Sequence, residues 1–224
     1  MGLLKDSFNI ALRDIRIESR RPYEILSTIF FAASTGIMAS IAWGTPISIT
    51  TEESVASLWI IIFFASILLF TTSFAREIDR GTIGGLKTMP SSPSAILIGK
   101  FIYSFIMMLF VILALVPLST AFLNISLASF LDLLPILLVG AVDISFAGSF
   151  ISSIVMYSEG KTLLLPFLLF PVTMPIFVPA LLSSEKILRG LSFIDYSSEL
   201  RLMGGFFIIV VLISMFTFET ILEE

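Results

Sequence analysis

The chain contains neither cysteine nor histidine among its 224 residues, and few of its side chains carry a charge. The two missing residue types exclude disulfides, thiolate or imidazole metal sites, and Ser-His or Cys-His catalysis by this chain. Charged residues make up 13% of the sequence and hydrophobic residues 57%, and the mean hydropathy is +1.05. Because a soluble domain is typically about 25% charged, this composition indicates a helical integral membrane protein. The net charge of −4 also argues against a nucleic-acid partner.

Long stretches without charge divide the chain into membrane spans. Five runs contain between 17 and 31 uncharged residues, and a sixth span is expected over about 133–157, interrupted only by Asp143. A transmembrane helix needs about 20 residues, so we predict six spans. The predicted fold class is an all-α membrane protein with an amphipathic interfacial helix over residues 1–20 and one six-span permease domain over residues 21–224.

The N-terminal helix is predicted from its periodicity. Leu4, Phe8, Ala11, Leu12 and Ile15 fall on one helical face, and most of the charged residues fall elsewhere. A helix of this kind lies in the plane of the membrane interface. The alternative is an ordinary charged leader segment.

Basic residues predict the orientation of the spans. If the N-terminus is inside, ten basic residues lie on the inner side: Lys5, Arg13, Arg16, Arg20, Arg21, Arg76, Arg80, Lys87, Lys100 and Lys161. Only three lie outside: Lys186, Arg189 and Arg201. We therefore expect both termini on the inner, cytoplasmic side of the membrane.

The cytoplasmic loop 76–94 between the second and third spans is the most informative segment. Its apolar residues Ile83, Leu86 and Met89 either lie on the bilayer surface or are received by a soluble partner. Ser92 followed by Pro93 is typical of a helix start and predicts where the third span begins.

Small residues and prolines mark three other spans. Small residues recur every four positions in the first and fourth spans, including Gly36, Ser40, Ser145 and Ser149, and predict close helix packing. The fifth span contains four prolines, so we expect it to break, with a kinked or re-entrant outer half. Residues 183–200 are expected to form an amphipathic outer segment.

Asp143 is the one acidic residue deep inside a predicted span. An ionisable residue at this depth is a functional candidate by default. The other interpretation is a neutral carboxyl hydrogen-bonded within a packed bundle.

The order of these segments resembles the membrane subunit of an ABC-2-type transporter, with a type V exporter-like permease fold, and more narrowly the CcmB family, the haem exporter B subunit of cytochrome c maturation. The resemblance covers essentially the whole chain. It is carried by Arg13-Asp14-Ile-Arg16, Arg20-Arg21-Pro22-Tyr23-Glu24, Arg76-Glu77, Gly81-Thr82-Ile83 with Leu86, Ser92-Pro93, Gly99-Lys100, and the run from Leu164 through Pro166, Pro171 and Pro175.

The resemblance implies a transporter subunit that is not itself an enzyme. It implies a homodimer of permease subunits paired with a separate CcmA-like ATPase that binds ATP, a haem-handling CcmC-like subunit and a small CcmD-like subunit. The ATPase would contact a coupling loop that contains Arg76, Glu77, Arg80, Gly81, Thr82, Ile83 and Leu86. Haem is then a possible substrate of the complex, delivered to an external haem chaperone, and this chain is expected to bind no cofactor of its own.

Three alternatives stay open. An ABC-2 permease for a drug, lipid or polysaccharide keeps the class and changes the cargo. A stand-alone proton-coupled carrier would use Asp143. A non-transporting scaffold would hold haem-handling proteins in the membrane.

Overall fold

The computed structural model describes residues 2–20, 22–44, 49–73, 92–155, 158 and 160–223, without the side chains of residues 161–162 and 218–223. Within these ranges the protein forms seven α-helices and no strand. They are α1 (Leu3–Arg20), α2 (Tyr23–Trp43), α3 (Thr51–Ser73), α4 (Pro93–Phe122), α5 (Leu127–Val155), α6 (Lys161–Leu188) and α7 (Phe193–Glu223). Helices α2 to α7 are long and apolar enough to cross a membrane. The predicted all-helical membrane fold is therefore confirmed.

Helix α5 is the centre of the bundle. It packs against α3, α4, α6 and α7, and most of its length is buried. Helices α2 and α7 expose more of their surface than the other spans. The short N-terminal helix α1 lies outside this set and packs mainly on α4.

Glycines on α5 let two large aromatic side chains of α3 approach its backbone. A Cβ atom added at Gly140 would overlap the ring of Trp59, and one added at Gly148 would overlap the ring of Phe70. Both rings are fully buried, and the Trp59 indole donates a hydrogen bond of 2.9 Å to the Ser184 hydroxyl on α6. The contact between α3 and α5 therefore depends on glycine at these two positions.

The expected break in the fifth span does not occur. Helix α6 runs without interruption from Lys161 to Leu188 and contains all four prolines, Pro166, Pro171, Pro175 and Pro179. The last three lie four residues apart, so the hydrogen bonds they remove belong to one side of the helix. The backbone hydrogen bonds on the other sides of the helix are kept, so the helix stays continuous through its prolines.

Residues 183–200, expected to form an amphipathic outer segment, do not form a helix of their own. Helix α6 continues to Leu188, and α7 already begins at Phe193. The two are joined by a tight turn in which Gly190 has a φ of 75°, and the Leu191 amide donates to the Lys186 carbonyl at 3.0 Å. Such a left-handed glycine is a common helix terminator.

The start of α4 agrees with the sequence. The helix begins at Pro93 with Ser92 in an extended N-cap conformation, although the Ser92 side chain makes no capping hydrogen bond. The fixed φ of proline, rather than the serine hydroxyl, therefore defines this helix start.

The role of Gly148 in helix packing can be tested by comparison with Gly205 on α7. Gly148→Ala should lower the free energy of unfolding by about 1–3 kcal/mol, because the new methyl group overpacks the site against Phe70. Gly205→Ala should be neutral or slightly stabilising, since a Cβ atom there meets nothing within 4 Å. Unfolding of the purified variants in mixed micelles measures both. An equal loss of stability in the two variants would contradict this packing.

Candidate functional site

The predicted coupling residues lie outside the part of the chain that the structure describes. These are Arg76, Glu77, Arg80, Gly81, Thr82, Ile83 and Leu86, within the undescribed residues 74–91. The structure does give the helices on either side, since α3 ends at Ser73 and α4 begins at Pro93. The predicted coupling residues therefore lie in the chain between the end of α3 and the start of α4.

A buried ion pair joins α1 to the first turns of α4. The Lys100 ammonium lies 2.9 Å from Asp14 Oδ2, and the two side chains are only 3% and 5% exposed. The Arg13 guanidinium also contacts Asp14 Oδ1, at 3.0 Å. Opposite charges attract more strongly away from water, so removing one charge of a buried pair costs more than removing one charge of an exposed pair. The pair therefore fixes α1 in one position on α4.

Glu18 adds a second connection, one helical turn further along α1. Its Oε2 accepts a hydrogen bond of 3.3 Å from the Tyr103 hydroxyl on α4. Its Oε1 accepts one of 3.3 Å from the Ile25 amide in the first turn of α2. First-turn amides lack a partner within their own helix, and a carboxylate there is favoured by the helix dipole. Glu18 thus links α1, α2 and α4, and we call Asp14, Glu18, Lys100 and Tyr103 together the α1 anchor.

Gly99 brings the two helices of the anchor close enough to pair. A Cβ atom at Gly99 would lie 2.8 Å from Ile10 Cβ and 2.9 Å from the Ser7 carbonyl oxygen. Both distances are shorter than Cβ atoms tolerate, so any larger residue would push α1 away from α4. Because Gly99 directly precedes Lys100, the close approach and the ion pair depend on each other.

The predicted apolar face of α1 is divided in the structure. Leu4, Phe8 and Leu12 are exposed by 77%, 53% and 43%, as expected of a helix that contacts lipid. Ala11 is instead buried, and Ile15 packs on the core. The remaining buried face is largely polar, because Ser7, Asp14 and Glu18 all point into the protein. The spacing of the apolar residues did not predict that α1 packs on the bundle through a polar face.

One signal for the anchor was present in the sequence. Asp14 and Glu18 are four residues apart, so they lie on one side of a helix, the side that also carries Ile10 and Ala11. Their partners could not be found in the same way, since Lys100 and Tyr103 are about eighty residues distant in the chain.

The small residues named from the sequence lie at helix contacts. On α2, Gly36 and Ser40 are buried with Thr28 and Ala32, and a Cβ atom at Gly36 would lie 3.8 Å from Ile61 on α3. On α5, Ser145 and Ser149 are fully buried.

Hydroxyl groups of α5 form hydrogen bonds with α3 and α4. Ser149 donates a hydrogen bond of 3.1 Å to Ser104 on α4, and Ser152 donates one of 3.1 Å to the Phe70 carbonyl on α3. Hydrogen bonds of this kind hold membrane helices together with modest energies, about 0.6 kcal/mol on average. The contact between α4 and α5 is therefore specific without being strong.

Asp143 lies near the middle of α5 and is only 4% exposed. Its Oδ2 has no hydrogen-bond partner among the described atoms, and neither has the nearby Ser145 hydroxyl. The described part of the chain also brings no three carboxylates together as a metal site. Asp143 is thus a buried acid, and its Oδ2 lacks a hydrogen-bond partner among the described residues.

Two apolar grooves run along the bundle surface. One, of about 360 Å³, lies between α3 and α6 and is lined mainly by phenylalanines, including Phe63, Phe64, Phe170 and Phe177. The other, of about 440 Å³, lies between α5, α6 and α7. Their linings are suited to acyl chains or flat apolar molecules and offer no charged ligand.

The anchor predicts a characteristic pattern of stabilities. Asp14→Asn should lower the free energy of unfolding by about 3–5 kcal/mol, because it removes the buried carboxylate that Lys100 and Arg13 both contact. Lys100→Met should cost less, because Arg13 still contacts Asp14. The double variant Asp14→Leu with Lys100→Met should recover most of that loss, since no charge then remains buried at the pair. Unfolding in mixed micelles provides the measurement.

The matched control is the pair of Arg189 with Glu52, whose side chains are 50% and 57% exposed. Arg189→Met should cost no more than about 1 kcal/mol. The buried-pair interpretation fails if the double variant is less stable than either single variant at the anchor.

Comparison with known proteins assigns the chain to a family. The family model described as CcmB protein matches residues 5–224, a range that includes α1, the anchor and all six spans. Comparison with curated proteins finds no match. The family is a membrane component of a haem-export ABC transporter that acts in cytochrome c biogenesis. Since the match covers nearly the whole chain, this protein belongs to the CcmB family.

Proposed function

We propose that this chain couples ATP hydrolysis by a separate ATPase subunit to haem export, or to delivery of haem to an external haem chaperone. The observation that carries the proposal is the α1 anchor. It lies at the start of α4, within the first three turns after the loop expected to contact the ATPase. The chain offers no nucleotide-binding motif of its own, so the energy has to come from a partner.

The mechanism begins at the cytoplasmic loop 76–94. ATP-driven closure of the ATPase dimer displaces this loop and, with it, the first turns of α4. Because Lys100 and Tyr103 bind Asp14 and Glu18, α1 moves with α4 rather than staying behind. The amide of Ile25 transmits the same displacement to α2.

The displacement is accommodated at the contacts of small residues. The α4–α5 contact contains the single hydrogen bond between Ser149 and Ser104, and α2 packs on α3 through Gly36. Contacts made by small residues and few hydrogen bonds allow two discrete arrangements of packed helices. We infer that α2 and α5 change their packing while α1 and α4 move together.

The proposed assembly contains two copies of this chain and two of a CcmA-like ATPase, with CcmC-like and CcmD-like subunits beside them in the inner membrane. Haem is the cargo of that complex. The absence of histidine from this chain supports axial ligation of haem by another subunit. The excess of basic residues in the segments that contain α1 and loop 76–94 supports a cytoplasmic location for both termini.

Two substitutions in the loop test the coupling. Gly81→Pro and Ile83→Asp should abolish haem-dependent ATPase activity in the reconstituted complex while the chain still inserts in the membrane. The matched control is Ile194→Asp, which changes an 81% exposed isoleucine at the start of α7 and should leave the ATPase activity intact. Normal ATPase stimulation in both loop variants would refute the coupling role, and stimulation by a drug, lipid or polysaccharide instead of haem would identify a different cargo.

Asp143 supports one competing function, a proton-coupled carrier, because it is a buried acid in α5 whose Oδ2 has no hydrogen-bond partner among the described residues. If the complex is driven by ATP, Asp143→Asn should retain haem-dependent transport, since the amide has the shape of a neutral carboxyl group. Transport into vesicles with and without the ATPase subunit is the measurement. Transport that needs no ATPase and is lost in Asp143→Asn would favour the carrier.

A further inference from the structure

Helix α1 carries a groove on the side that faces away from the bundle. The groove has a volume of about 280 Å³ and combines three arginines with apolar and amide side chains, namely Asn9, Leu12, Arg13, Arg16, Ile17 and Arg20. No ion pair in the described ranges involves Arg16 or Arg20, whereas Arg13 is bound to Asp14. The groove therefore presents two guanidinium groups that can bind a ligand.

The positive charge of this surface is produced by the fold. Helix α1 contains four basic and three acidic residues, so its sequence is nearly balanced. Asp14 and Glu18 are however only 4% and 3% exposed, and both are bound by α4. Asp6 is the one acidic residue left on the outer surface of this helix, and the basic residues dominate there. The negative charge of the whole chain does not predict such a surface.

The arginines continue the ridge of exposed apolar residues. Leu4, Phe8, Leu12, Arg16 and Arg20 follow one another at intervals of four, which places them in one slowly turning row along the helix. The first three are exposed apolar side chains, and the last two are exposed cations. The row is apolar at one end and cationic at the other, with the groove at the cationic end.

We propose that this groove binds an anionic phospholipid, with its phosphate between Arg16 and Arg20 and its acyl chains along Leu12 and Phe8. Guanidinium groups bind phosphate oxygens through paired, charge-assisted hydrogen bonds. Leu4 and Phe8 are exposed apolar side chains, of the kind by which an interfacial helix contacts acyl chains. An amphiphile with one phosphate matches both ends of the ridge, whereas a free phosphate ion matches only one.

The proposal gives α1 a contact on each side. The α1 anchor holds it from within the bundle, and the lipid holds it from the membrane. Lipid binding at this site does not depend on an ATPase or on the cargo, so its test is independent of the proposed coupling function.

Native mass spectrometry of the full chain in mild detergent tests the site. The protein is titrated with phosphatidylglycerol or with phosphatidylethanolamine, and the retained lipid is counted. The wild-type chain should retain phosphatidylglycerol at least about tenfold more tightly than phosphatidylethanolamine. The double variant Arg16→Gln with Arg20→Gln should lose that preference, and Arg189→Gln with Arg201→Gln, which removes the same charge at the other end of the bundle, should keep it.

Three results would overturn the proposal. The first is equal retention of the two lipids by the wild-type chain, which needs no variant to fold. The second is an unchanged preference in the Arg16 and Arg20 double variant. The third is displacement of phosphatidylglycerol by about 10 mM inorganic phosphate, which would show a simple anion site instead of a lipid site.

Discussion

The buried ion pair between Asp14 and Lys100 is the interaction on which the arrangement of the N-terminal half depends. Burying two charges is costly, and a pair of hydrophobic residues would often be as stable. What the pair provides is a unique position, because a charge without its partner is strongly disfavoured in every other register. Gly99 permits the approach, and Glu18 extends the connection to α2. Helix α1 is therefore a fixed part of the bundle and not a peripheral leader.

Much of the fold was predictable from the sequence, because the bilayer imposes strong rules. Uncharged runs of sufficient length predicted five of the six spans, and a run interrupted only by Asp143 predicted the sixth. The Ser92-Pro93 pair predicted the start of α4. The continuity of α6 was not predictable from the number of its prolines. The number of prolines does not show on which side of the helix the hydrogen bonds are lost. Prolines four residues apart remove backbone hydrogen bonds on only one side. The C-terminal end of the same helix was predicted too early, because the turn at Gly190 lets α6 continue to Leu188.

The candidate site, too, could be predicted from the sequence only in part. The loop residues and the amphipathic character of α1 follow from local patterns, and Asp143 stands out because charge is rare in a span. The α1 anchor joins residues far apart in sequence, so only the folded chain brings Asp14 to Lys100. The basic surface of α1 is a consequence of the same contacts. Once Asp14 and Glu18 are turned inward, a helix of nearly balanced charge becomes positive on its outer side.

The central claim is that α1 and α4 move as one body against α5 during the ATP cycle. The chain has no native cysteine, so pairs of spin labels can be introduced at exposed positions without background. One pair at Ser19 and Leu113 reports on α1 and α4, and a second at Leu113 and Leu138 reports on α4 and α5. Double electron–electron resonance measures the distance within each pair in the reconstituted complex, with labelled subunits diluted in unlabelled ones. The distances are compared between the nucleotide-free and ATP-trapped states. The account predicts an unchanged distance for the first pair and a shifted one for the second. A first distance that changes as much as the second would contradict it.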